Sequence, residues 1–133
     1  MTEQDKELLL KDLCTRLPYG VKCFNGYDKN KPLELVGLPT RDAVRIASQD
    51  EPLPPFLGIT DLERTLMYLR PMSSMTEEEY RIYKDVCHHS HYNSPSEQYY
   101  SSIDFLNAHH FDYRGLIEKG LALEAPEDMY KEN

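Results

Sequence analysis

The chain has 133 residues, 40% of them hydrophobic, which is enough for one domain with a buried core. Its 23 acidic residues outnumber 15 basic ones, and the net charge of −8 argues against a broad nucleic-acid-binding face, which needs clustered Lys and Arg. The three cysteines, Cys14, Cys23 and Cys87, are widely spaced and form no CxxC pair, so they read as reduced thiols.

Residues 3 to 17 are expected to form a helix. Leu9, Leu10, Leu13 and Leu17 recur at helical spacing, Thr2 can cap the start, and Pro18 ends it. The LLL run at 8 to 10 lies inside this charged helix and is neither a signal core nor an anchor. No apolar run approaches the roughly 18 residues of a membrane span. The expected location is the cytoplasm, with no membrane contact.

Tyr19 to Phe24 and Leu33 to Leu38 read as strands around an Asn25-Gly26 turn. Thr40 to Ser48 is read as a third strand, with a short helix as the alternative. Gln49 to Pro55 carries three prolines and reads as a stiff connector. Phe56 to Ile59 is a candidate fourth strand.

Thr60 and Glu63 match a capping box, and Leu62, Leu66 and Leu69 follow at helical spacing, so a short helix is expected over Asp61 to Leu69. Thr76 and Glu79 form a second capping box ahead of a helix running to about His89. SHYNSPS is a loop. Ser94 caps a further helix that opens on Pro95, with Tyr99, Ile103, Leu106 and His110 on one face. Asp112 can cap a short helix, YRGLIEK, closed by a left-handed Gly120. A charged tail starts at about residue 127. The sum is an α+β fold over residues 1 to 133: an N-terminal helix, a small antiparallel sheet of three to four strands, and a helical C-terminal half.

Few residues suggest chemistry. Cys87, His88, His91 and His110 form the most metal-like set, although adjacent histidines on a helix point about 100° apart. No nucleophile elbow, P-loop or dinucleotide-binding motif is present, and no catalytic residue or cofactor is assigned. Ten tyrosines and no tryptophan make a distinctive balance. Tyr80, Tyr83, Tyr99, Tyr100 and Tyr113, with Arg114, form a candidate protein-binding set, because tyrosine offers large amphipathic contact area. Arg70 and Arg114 either clamp an external acid or pair with nearby Asp and Glu, the second being the more common outcome.

Three phrases stand out: LLLKDLCTRLPYGVKC, YLRPMSSMTEEE and FLNAHHFDYRGLIEKGLALEAPEDMY. In this order they resemble a family of small proteins from gut Bacteroidales genomes, their prophages and their phages. The resemblance implies a phage or mobile-element setting and a compact α+β domain, and carries no mechanism with it. The leading expectation is a non-enzymatic accessory protein that binds another protein, of the host's defences or of the phage. Alternatives are an acidic inhibitor occupying a basic nucleic-acid-binding channel, motivated by the net charge and the Glu77 to Glu79 run, and a small metal-binding protein.

Overall fold

The chain begins with helix α1, Glu3–Arg16, and its sequence explains both ends. Thr2 accepts from the Asp5 backbone N–H, and the Asp5 carboxylate accepts from the Thr2 N–H in return, so two orphan donors of the first turn are satisfied. Leu17–Tyr19 tightens into a 3-10 turn after the helix. The computed structural model describes residues 1–24, 32–47, 57–88 and 95–130, with the side chains of 57–59, 88 and 95–100 left aside. The Asn25-Gly26 turn, the proline-rich connector, the first five residues of the SHYNSPS loop and the Ser94 cap lie outside those residues, while the last two of that loop, Pro95 and Ser96, open a helix.

Among the described residues seven strands follow the helix: β1 Lys22–Cys23, β2 Leu33–Thr40, β3 Ala43–Ala47, β4 Leu57–Asp61, β5 Met67–Pro71, β6 Phe111–Asp112 and β7 Ala122–Glu124. Two helices, α2 Glu77–His88 and α3 Pro95–Ala108, lie between β5 and β6. The hydrogen-bonded order is β4-β3-β2-β1-β5-β6, and β7 also pairs with β5. β1 to β4 pair antiparallel, as does β1 with β5, whereas β6 and β7 both run parallel to β5. The sheet is therefore mixed and has seven strands among the described residues, more than the three to four antiparallel ones expected. Residues 43–47 are strand, as read from the alternation of Val44 and Ile46.

The largest departure from expectation is the segment 57 to 71. The helix expected over Asp61 to Leu69 is absent. Thr60 pairs with Val44 inside β4, Leu62–Arg64 is one 3-10 turn, and Met67–Pro71 is strand. A capping box needs its first residue outside the ladder, and here the ladder takes it. Short apolar runs do not distinguish a buried strand from a buried helix. β5 is such a run, because Met67, Tyr68 and Leu69 are all buried. Successive side chains of a strand face opposite sides. Met67 and Leu69 join the core formed with Leu9 and Leu13 of α1, Val21, Leu35, Val44 and Leu116. Arg70, of opposite parity, reaches Glu79 of α2.

The C-terminal half is correspondingly not a helical layer. It supplies β5, β6 and β7 as well as α2 and α3. The YRGLIEK helix is replaced by turns, although Asp112 does cap them: its carboxylate accepts from the N–H groups of Leu116 and Ile117. Gly120 is left-handed as expected, with φ +73°, and lets Leu121 N–H return to Leu116 C=O. His110 leaves the helical face expected for it. α3 ends at Ala108, and His110 adopts φ +62°, a conformation usually given to Gly or Asn after a helix.

Candidate functional site

Two regions hold polar and aromatic side chains in arrangements worth chemical scrutiny. The first is buried. α1 presents Leu9, Asp12, Leu13 and Arg16 to the interior, at i, i+3, i+4 and i+7. Asp12 and Arg16 are both fully buried, and Arg16 Nε donates to Asp12 Oδ2 at 2.6 Å. Arg114 Nε donates to the other oxygen, Asp12 Oδ1, at 3.0 Å. Arg16 Nη2 then donates to the Phe111 carbonyl, which fastens β6 to α1. The Tyr113 ring lies beside both guanidinium groups, at 5.1 Å from Arg16 and 5.0 Å from Arg114, and its hydroxyl donates to Asn107.

The same region closes the sheet through Tyr130. Alternate backbone groups of a strand point to opposite edges. Leu66 C=O accepts from Phe24, and Arg70 N–H donates to His110, so β1 and β6 share one edge of β5. Leu69 C=O accepts from Ala125 on the other edge, beside β7. Between the two short strands, Tyr68 C=O is left without a ladder partner, and the Tyr130 hydroxyl donates to it at 2.8 Å while accepting from Lys22 N–H at 2.8 Å. Burial pushes the Tyr130 hydroxyl well above its ordinary pKa. The His110 ring stacks on Tyr130 with centroids 3.8 Å apart. Burial, reinforced by Arg16 and then by Arg70 and Lys22, pushes His110 down to about 4, so it is neutral at pH 7.

The second region is open. Thr76 and Glu79 form the expected capping box, and Arg70 forks onto both Glu79 oxygens at 2.7 Å. That contact holds the Glu79 carboxyl down to about 2. The pair fixes α2 so that Tyr83 faces inward against Phe105, centroids 5.6 Å apart. Tyr80 is left 57% exposed beside Met72, itself 39% exposed. Met72, Met75, Tyr80 and Tyr83 line an open groove of about 660 Å³, rimmed by Arg81 and Lys84.

The residues singled out in the sequence therefore separate. Tyr80 is at the surface groove, Tyr83 forms its inner wall, and Tyr113 and Arg114 belong to the buried cluster. The side chains of Tyr99 and Tyr100 lie outside the described residues. Arg70 and Arg114 both take partners within the chain. Cys87 is half-buried on α2 and His110 sits in the buried region at the start of the C-terminal wrap, residues 110 to 130, while the His88 and His91 side chains are outside the described residues. Among the described residues no three His, Cys, Asp or Glu side chains gather to hold a metal ion. Cys23 is buried and its thiol pushed up to about 12, which leaves it unreactive. Among the described residues no helix is long and apolar enough to cross a membrane.

Sequence inspection missed Asp12, Arg16 and Tyr130 in the first region and Met72, Met75, Arg81 and Lys84 in the second. For Asp12 and Arg16 a signal was present: both fall on the stripe of Leu9 and Leu13. Against protein-family models, curated proteins and solved structures, the chain shows no match.

Proposed function

We propose that this protein is a non-enzymatic binding module whose docking surface is the outer face of α2 with the Met72–Met75 turn. One observation carries the proposal: Tyr80 stands 57% exposed beside a groove lined by methionine and tyrosine. Tyrosine and methionine are enriched where proteins meet, and exposed apolar grooves with a polar rim mark contact surfaces. The contrast with four other described tyrosines strengthens it. Tyr19 bonds Asp104, Tyr83 packs on Phe105, Tyr113 bonds Asn107, and Tyr130 bridges two strands. In the phage or prophage setting that the three phrases suggest, the partner is a protein of the host or of the phage.

The test is affinity capture from a host lysate at low and moderate salt, using the wild type and Tyr80→Asp. A partner identified by mass spectrometry that binds the wild type and is lost from Tyr80→Asp supports this surface. Specific partners retained equally by both proteins remove it, as does the absence of any partner at either salt from a protein that also stays monomeric.

A further inference from the structure

The α2 face has a charge order that selects an occupant. Glu77, Tyr80, Arg81 and Lys84 recur at i, i+3, i+4 and i+7, so they share about 100° of the helix surface. All four are exposed. Among the described residues, Glu77, Arg81 and Lys84 enter no ion pair. The stripe is acidic at its N-terminal end and basic at its C-terminal end. Turned about an axis between residues 80 and 81, it becomes complementary to itself.

A two-fold interface uses one patch twice, so the patch must complement its own image. On a chain of net charge −8 a patch dominated by acidic residues fails that condition, because carboxylates meet carboxylates. This stripe carries one carboxylate and two cations and escapes it. We propose that the α2 face binds a second copy of this chain, the two α2 helices antiparallel, with Glu77 against Lys84 of the second copy and Tyr80 against Arg81 of the second copy. The helix dipoles then oppose, the Tyr80 ring meets a guanidinium, and Met72 and Met75 flank the seam. The inference rests on the reading of this face as a binding surface and names its occupant.

Sedimentation velocity from about 5 to 500 μM, a range bracketing weak self-association, tests it at moderate salt. The wild type is expected to shift from monomer to dimer across the range. Glu77→Lys and Lys84→Glu should each weaken the dimer by about tenfold, because each sets like charges together. The double variant E77K/K84E should recover most of the wild-type affinity, since the pair is restored with its signs exchanged. A protein that stays monomeric throughout overturns the proposal. So does a dimer indifferent to both single variants, or a double variant no tighter than either single one. Monomeric protein whose captured partner still depends on Tyr80 removes self-pairing and leaves the binding surface standing. Monomeric protein with no Tyr80-dependent partner removes both.

Discussion

Tyr130 and Tyr80 are the same side chain in opposite settings. Tyr130 is wedged between β1 and β6, with its hydroxyl committed to two backbone groups. Tyr80 stands in solvent over a methionine-lined groove. The charged residues divide the same way. Arg16 and Arg114 share one buried carboxylate, Asp12, whereas Arg81 and Lys84 rim an open surface. In the buried region most polar groups are bound within the chain, although Arg16 Nη1 and His110 Nδ1 are buried without a hydrogen-bond partner among the described residues. On α2, the uncommitted groups stand where another molecule can reach them. Residue type alone does not separate the two regions, but burial does.

The largest break in that contrast should come from Asp12→Ala. It strands Arg16, fully buried, and deprives Arg114 of its partner. Removing one member of a buried ion pair costs about 3 to 5 kcal/mol, a large fraction of a small domain's stability. Urea denaturation should show the midpoint falling accordingly. The double variant D12L/R16M should recover part of the loss, because it removes the fully buried Arg16 charge and leaves only the partly exposed Arg114 without its partner.

Acid should separate the two regions by pH window. His110 has a folded pKa of about 4 against 6.5 unfolded. The unfolded chain therefore binds more protons between these values, and stability falls as pH drops from about 6.5 to 4. By linkage the loss is about 2 to 3 kcal/mol, complete near the lower value. His110→Asn, which tolerates the left-handed backbone, should flatten that slope. Glu79 acts lower. Its folded pKa of about 2 lies below the ordinary 4.5, so the Arg70 contact stabilises above pH 4.5 and fades as pH falls toward 2. Glu79→Gln should erase only this second window, measured by denaturant midpoint against pH.

Tyr130→Phe should cost somewhat less. It keeps the ring against His110 and removes only the hydroxyl, leaving Lys22 N–H and Tyr68 C=O to find other partners. Leaving buried backbone groups unsatisfied costs about 1 to 3 kcal/mol. Amide exchange at Lys22 should accelerate in this variant, and exchange within β2 to β4 should follow only the global change.

How much of this was visible in the sequence depends on the range of the interactions. α1, its Thr2 cap, the Thr76–Glu79 box and the start of α3 at Pro95 were legible because their determinants lie within four residues. The β5 segment was not. Its Leu62, Leu66 and Leu69 spacing fits a helix, and only the strands added by residues 22–23, 111–112 and 122–124 make it the centre of the sheet. The parallel pairings, and Tyr130 reaching Lys22 across more than a hundred residues, carry no local mark. The open region was half legible: Tyr80 was singled out for its chemistry, but its separation from Tyr113 and Arg114 depends on which side of β5 each element packs.

Tyr80→Ser carries the smallest expected change in stability and tests the comparison most directly. Tyr80 is 57% exposed and its ring makes no aromatic contact among the described residues. Surface substitutions of this kind usually stay within about 0.5 kcal/mol. Its neighbour Tyr83, four positions short of Cys87 on the inward side, is half-buried against Phe105 and should cost about 1 to 3 kcal/mol when cut to Ala. If Tyr80 is held for contact and Tyr83 for packing, the two variants should exchange rank between assays. Y80S should keep the denaturation midpoint and lose association, and Y83A should lower the midpoint. A Y80S protein destabilised as much as Y83A would place Tyr80 with the wrap's committed tyrosines and remove the distinction between the two regions.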